Sequence, residues 1–219
     1  MAIVKGGILG TVTQKIGNIV FQKWKELNTA RELVIPANPR TPKQVFQRDR
    51  FAFVSVIAQM VRLTIIIPFW KYLQTGTKTY WNVFSGANVI LQPGFVDPLT
   101  VFLADYSKLL ITKGSLEIIT PQSPPTYNPI TGEVEANWTT DIFGNGLPTD
   151  IVKVVIIDQA NGVAIISPLD TVVRNLQSVV FSIGIGRTAL DLSLYIFAHR
   201  GEGDLLEVSN SQFSTLVAV

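Results

Sequence analysis

From Glu133 to the C-terminus, apolar side chains recur at every second position in a series of short runs. A chain with that period covers them only by forming half-buried β-strands. Val134, Ala136 and Trp138 alternate with Glu133, Glu135 and Asn137. Val179, Phe181 and Ile183 share one face of a run over Gln177 to Ile183. Leu190, Leu192, Leu194, Ile196 and Ala198 alternate with Asp191, Ser193, Tyr195, Phe197 and His199. The run Ile151 to Ile157 is nearly all apolar, as in a central strand. Asn161-Gly162 signals a hairpin with Val163 to Ile166 as its return, and a final strand ends in Thr215 to Val219. Six or seven such strands predict an immunoglobulin-like or fibronectin-III-like β-sandwich over residues 114–219. The Pro-rich stretch Thr120 to Pro125 marks its entry.

The preceding residues follow other rules. Residues 1–38 form a Gly-punctuated β arm or hairpin, with strands predicted over Asn18 to Lys25 and Ala30 to Ile35 and a turn at Gly17. The arm is too short for a core of its own. Its apolar residues Ile16, Ile19, Phe21 and Trp24 are therefore expected to pack on the rest of the chain or on another subunit. Residues 39–113 read as a short helical region and a link. Thr41-Pro42-Lys43-Gln44 is a helix start, with Thr41 as cap, Pro42 at the first position and Gln44 completing a capping box. Phe46, Phe53, Ile57, Met60, Val61 and Thr64 fall on one face, with Val45, Ala52, Val56 and Leu63 beside it. That stripe is wide enough to leave little of the helix after Phe51 facing water. Pro68 is expected to break the run, with shorter helices over Phe69 to Gln74 and Thr79 to Val89. The class is α+β.

Composition narrows the chemistry. The 219 residues include no Cys and a single His, His199. Disulfides, thiolate nucleophiles, Cys-based zinc sites and multi-His metal sites are excluded. Only 16% of residues are charged, against about 25% in an ordinary soluble domain. The charges are also sorted: residues 1–113 carry 14 Lys and Arg against 5 acids, and residues 114–219 carry 4 against 11. Lys5 and Lys15 interrupt the N-terminal stretch, which lacks the apolar run of a signal peptide. The window Phe51 to Trp70 holds Arg62, Gln59, Ser55 and Pro68, and reads as a buried helix before a membrane span.

The motifs of enzyme chemistry are weak. Gly184-Ile185-Gly186-Arg187-Thr188-Ala189 resembles a phosphate-binding glycine pattern but has no helix after it, and reads as a turn. His199 stands at a strand end, and Glu133 and Glu135 lie on the polar face of an amphipathic strand. Asn137-Trp138-Thr139 fits the glycosylation sequon, which matters only in a secretory route. No catalytic, cofactor-binding or metal-ligating residue is assigned, and an enzyme is not expected. The basic cluster Lys23, Lys25, Arg31, Arg40, Lys43, Arg48 and Arg50 is interleaved with Phe21, Trp24, Phe46 and Phe51. It reads as a docking patch for the acidic half of a neighbouring subunit, with nucleic acid as the alternative ligand.

Lys15-Ile16-Gly17, Trp24-Lys25, Arg31, Asn38-Pro39-Arg40-Thr41, Gln44, and Arg48 with Phe51 make up a recurring pattern, continued in the stretch 106–117. This pattern resembles the N-terminal module of certain phage and prophage structural proteins, and that of a bacterial family of unknown function. Lys25-Glu26 departs from the Lys-Gly step common there. The resemblance implies a structural, virion-like context and no cofactor. The expectation is a self-assembling subunit of a phage virion, phage tail or phage-like filament, joined by arm exchange or edge-strand addition. It would be made in the cytoplasm without a signal peptide and sit in a virion or extracellular assembly. Its partners would be copies of itself and other virion proteins. Ile16, Ile19, Phe21, Trp24, Phe46, Phe53, Ile57 and Met60 would form the assembly interface. A pilus-like filament subunit, a nucleic-acid-binding internal virion protein and a carbohydrate-binding adhesin are the alternatives.

Overall fold

A computed structural model describes residues 2–4, 14–24, 27–35, 37–38, 40–74, 76–140, 142–168, 170–201 and 206–219. Its contacts divide the chain into two units, Met1–Arg40 and Thr41–Val219. The first is one antiparallel sheet of β1 (Ala2–Val4), β2 (Gln14–Ile16), β3 (Ile19–Trp24) and β4 (Leu27–Glu32), in the order β1-β4-β3-β2. Gly17, at φ +58°, and Asn18 close the β2–β3 hairpin, where the positive φ suits glycine. Ile19 pairs with Glu32 and Trp24 with Leu27. The tight β3–β4 connection therefore places β4 three residues earlier than Ala30 to Ile35, the strand expected from sequence.

The second unit begins with α1 (Pro42–Met60). Thr41 is its N-cap through its backbone: its carbonyl accepts from Gln44 and Val45 (2.9 and 3.0 Å), while its hydroxyl makes no cap hydrogen bond. The expected capping box is thus not formed. The helical run breaks earlier than Pro68. It bends by 70° after Met60 and passes through a π-helical turn, Arg62–Ile66, into α2 (Ile67–Trp70). Pro68 sits in the first turn of α2. No single described helix is long and apolar enough to cross a membrane. The third helix, α3 (Tyr80–Leu91), is capped by Thr79, whose hydroxyl accepts from the Asn82 amide (3.3 Å).

The strands of this unit are β5 (Thr126–Tyr127), β6 (Glu133–Asn137), β7 (Ile151–Asp158), β8 (Val163–Ile166) and β9 (Ser178–Ser182). They continue with β10 (Leu192–Arg200), β11 (Glu207–Val208), β12 (Gln212–Thr215) and β13 (Val217–Ala218). One sheet runs β11-β10-β7-β8, with β12 also pairing β10, and the other runs β13-β5-β6-β9. The chain end divides in two: β12 pairs with β10, and β13 then lies parallel to β5 in the other sheet. The molecule is mixed α and β with a β-rich C-terminal half.

The alternation of β6 and β9 is kept, with Val134, Ala136, Val179 and Phe181 buried and Glu133, Glu135 and Val180 exposed. That of β7 and β10 is not a boundary with water, because both of their faces are covered. Val152, Val154, Ile156, Leu194 and Ile196 share a core with residues of the second sheet. Val155, Ile157, Tyr195 and Phe197 share another with Ile57, Val61, Ile65, Phe69, Trp70 and Phe84 of the helical region. The helices are the layer that completes the sheet's second face.

Ile156 is fully buried among side chains from both sheets. Ile156→Ala lowers unfolding stability by about 2–5 kcal/mol, read from the urea midpoint at unchanged slope.

Candidate functional site

In the first unit the register sorts side chains by face. Ile16 stands opposite Ile19, and Phe21 opposite Ala30, so these four share one face. Lys15, Val20, Gln22, Thr29 and Arg31 occupy the other. Ile16 and Ile19 are 60% and 47% exposed, and Phe21 is half-buried. The first face also carries Gln14 and Glu32, and the second Trp24 and Leu27, so apolar positions fall on both sides and Trp24 does not share a face with Ile16, Ile19 and Phe21. Trp24 ends the β3–β4 ladder opposite Leu27. Its side chain, that of Lys23, and all of Lys25 lie outside the described residues.

The helical members of the expected interface are placed differently. Phe46 and Ile57 are buried, and Phe53 and Met60 half-buried, all on the side of α1 that faces its own unit. They are core residues and not a free surface. The side of α1 turned to water carries Val45, Phe51, Ala52 and Val56, and Leu63 follows it. The expectation that little of the helix beyond Phe51 would meet solvent is corrected with it.

Of the basic cluster, Arg31 and Arg40 are exposed in the first unit, and Lys43 and Arg48 in the second. Arg50 does not belong with them. Its Nη2 donates to the carbonyls of Ile90 (3.0 Å) and Gln92 (2.8 Å), placing a cation on the last carbonyls of α3.

That contact leads to a site the sequence reading passed over as a link. Residues 93–104 form a loop closed at its base by one buried side chain. Gln92 Nε2 donates to the Asp105 carbonyl and its Oε1 accepts from the Asp105 amide, both at 3.0 Å. One turn earlier, the fully buried Asn88 donates to the carbonyls of Phe84 (3.1 Å) and Leu110 (3.0 Å) and accepts from the Leu110 amide (2.7 Å). Inside the loop, Phe95 and Phe102 each meet the Phe46 ring edge-on at 5.6 Å, and Phe102 also lies 5.9 Å from Phe53. The tip is a fixed turn: the Thr100 amide donates to the Asp97 carbonyl (3.0 Å), and Asp97 Oδ1 accepts from the Leu99 amide (2.8 Å).

A loop tied this firmly has its side chains set by the backbone. With Phe95 and Phe102 inward, Val96, Leu99, Val101 and Leu103 are turned to water. They and Ile90, at the end of α3, are between 75% and 90% exposed. Isolated exposed aliphatics are ordinary, but four on one ordered loop, with Ile90 before it, make this stretch a candidate surface. The signal was present in Asp97-Pro98-Leu99-Thr100, a turn sequence bounded by apolar residues on both sides.

The remaining polar clusters serve the scaffold. Arg174, almost wholly buried, donates to the carbonyls of Glu117 (2.8 Å) and Ile118 (3.3 Å) and lies 3.6 Å from Asp150. Glu117 accepts from the amides of Phe143 (2.7 Å), Gly144 (3.1 Å) and Gly146 (3.2 Å). These amides, Phe143 first, hold its carboxyl below the usual range against the opposing pull of desolvation. The 184–189 turn has Gly184 and Gly186 at φ +90° and +81°, and its Arg187 reaches back to Asp158 (2.8 Å). A groove of about 730 Å³ is lined by Ile67, Phe69, Lys71, Tyr72, His199 and Leu206. The His199 ring lies 5.1 Å from Phe69 within it. Among the described residues no group of three or more His, Asp or Glu could hold a metal ion.

A family model described as a family of unknown function (DUF6266) matches residues 10–214. No curated protein matches the chain, and no solved structure does.

Because the loop residues turn outward, Leu99→Ser and Val101→Ser shift stability by no more than about 0.5 kcal/mol, measured in urea. Asn88→Ala, which removes three buried hydrogen bonds, costs about 2–3 kcal/mol in the same measurement. Glu117 has a folded pKa below its unfolded one. Its contribution is therefore present above the ordinary carboxylate pKa and is lost as pH falls through the lowered value. Hydrogen exchange at the Phe143, Gly144 and Gly146 amides accelerates over that fall, and Glu117→Gln removes the pH dependence.

Proposed function

We propose that this chain, which belongs to the DUF6266 family of unknown function, is a self-associating structural subunit that uses its N-terminal sheet to join neighbouring copies. The observation that carries the reading is the exposure of Ile16 and Ile19, paired apolar residues of that sheet. A small sheet that leaves such residues in water gains stability from a second layer laid against it. Its outer strands β1 and β2 pair on one side only among the described residues, which also suits arm exchange or edge-strand addition. Val34 and Ile35, exposed just beyond β4, extend the apolar surface of the same unit.

The β-rich half is read as an immunoglobulin- or fibronectin-III-like sandwich. Its first, second and fifth strands, β5, β6 and β9, share one sheet. Its third, fourth and sixth strands, β7, β8 and β10, share the other with β11 and β12, while the last, β13, returns to β5. That division supports the reading. In an assembly, such a half is a rigid body that carries loops and edges toward its neighbours. The setting of a phage particle, tail or phage-like filament rests on the sequence resemblance of the Gly-rich strap and the Asn38-Pro39-Arg40-Thr41 step.

Light scattering of the full chain gives a multimer, and electron microscopy gives rings, shells or fibres. A chain beginning at Ala37 falls to a smaller particle. A full chain that stays monomeric, or a shortened one with an unchanged number of subunits, overturns the reading.

A further inference from the structure

The second unit offers a contact that does not involve the N-terminal sheet. We infer that β9 (Ser178–Ser182) pairs antiparallel with the β9 of a second copy, about a twofold axis at Val180. The contact makes one continuous sheet of the two β13-β5-β6-β9 sheets.

The backbone sets the geometry. β9 ends its sheet, with β6 on one side only. The Trp138 amide donates to the Gln177 carbonyl and the Ile183 amide to the Gly132 carbonyl, both at 2.8 Å. Between them, Ala136 stands opposite Val179 and Val134 opposite Phe181. The ladder therefore alternates so that the odd-numbered residues turn their peptide groups toward β6. The N–H and C=O of Ser178, Val180 and Ser182 point outward, and among the described residues none bonds to them. A twofold axis at Val180 sets these groups against their own kind. Val180 faces Val180, and Ser178 faces Ser182 twice. Each of the three pairs exchanges two hydrogen bonds.

The side chains agree with the same centre. Ser178-Val179-Val180-Phe181-Ser182 reads nearly alike in both directions. The axis matches serine with serine, exposed Val180 with Val180, and Val179 with Phe181 on the buried face. A shift of two residues keeps the hydrogen-bonding phase but opposes valine to serine and loses one pair. The strand does not lengthen to recover it, because Gln177 at φ +64° and Gly184 at φ +90° end the extended run.

Charge does not oppose the pairing. Exposed edges are ordinarily guarded by a charged residue or a proline, and residues 175–186 contain neither. Glu135, beside Val180 on β6, lies three strand spacings from its counterpart, about 14 Å. That exceeds the screening length of about 8 Å at physiological salt. Leu176 and Ile185, exposed beyond the two ends of β9, add apolar area at both margins. Other occupants fit less well. The outer strands β1 and β2 of a neighbour's N-terminal sheet are three residues long and cover only part of the edge. The other outer strands of the second unit, β8, β11, β12 and β13, have two to four residues. The contact is isologous and closes at two copies. Combined with a contact through the N-terminal sheet, it extends into a chain of dimers.

The test uses full-length chains. Val180→Lys and Val180→Glu each bring like charges face to face at the axis. Each weakens association through this edge at least about tenfold by analytical ultracentrifugation. Mixing the two variants restores the wild-type particle, because Lys then opposes Glu. Far-ultraviolet circular dichroism matching the wild type shows that the fold is kept. Amide exchange at positions 178, 180 and 182 is slow in the wild-type assembly and fast in Val180→Lys. Fast exchange at these amides in the wild-type assembly overturns the inference without recourse to a variant. A folded Val180→Lys chain that assembles like wild type also overturns it, and either result leaves association through the N-terminal sheet standing. A mixture that stays dissociated overturns the axis at Val180. A wild-type dimer that Val180→Lys makes monomeric, and that persists when the chain begins at Ala37, keeps the β9 contact and overturns the N-terminal one. A monomeric wild-type chain overturns both.

Discussion

The antiparallel pairing of β7 with β10 carries the second unit. Eight residue pairs, from Leu192 with Asp158 to His199 with Ile151, hold two strands whose side chains are buried on both faces. Val154, Ile156, Leu194 and Ile196 supply one half of the core between the sheets. Val155, Ile157, Tyr195 and Phe197 supply the floor on which the helices lie. Each such side chain contributes about 1.5–3 kcal/mol by leaving water. Neither the second sheet nor the helical layer has another large apolar surface to rest on. Polar groups at the pair's margins are matched: buried Lys153 pairs with Asp170 and donates to the Ser167 carbonyl (3.3 Å). Asp158 takes Arg187 and Asn161.

From that pair, order passes outward to the loop 93–104 through a chain of rings. Tyr195 on β10 donates its hydroxyl to the Tyr106 carbonyl (2.7 Å). The Tyr106 ring meets Phe53 edge-on at 5.2 Å, Phe53 touches Phe102, and Phe102 and Phe95 close on Phe46. The site is thus an extension of the core, carried on aromatic contacts that fix distance and angle together. This explains how a loop with no regular secondary structure presents aliphatic side chains in one arrangement.

Much of the scaffold was legible because period and burial coincide there. The alternation around Val134 and Ala136, the Asn161-Gly162 turn and the return strand Val163–Ile166 each depend on neighbours close in sequence. The β10 pattern was legible as a strand but not as a strand covered twice, since Tyr195 and Phe197 find their helical partners more than 100 residues earlier. The orientation of α1 was harder still. The helical period separated the face of Phe46 and Ile57 from Val45 and Val56 beside it, but with apolar residues around most of the helix it did not show which of the two turns inward. Arg50 read as one more surface cation because its partners, the carbonyls of Ile90 and Gln92, are backbone groups with no signature in sequence. The loop 93–104 escaped for the same reason: its closure by Gln92 depends on a side chain imitating a backbone pair.

The long reach of the helix–sheet core also sets an order of events as the chain is made. The N-terminal sheet is built from hairpins whose strands are near neighbours, and contacts so local form early. The floor beneath α1 and α3 comes from residues 151–157 and 192–197, so those helices leave the ribosome with their apolar sides unprotected until most of the chain has followed. Throughout that interval the loop 93–104, which rests on Phe46 and Phe53 of α1, lacks the floor beneath that helix.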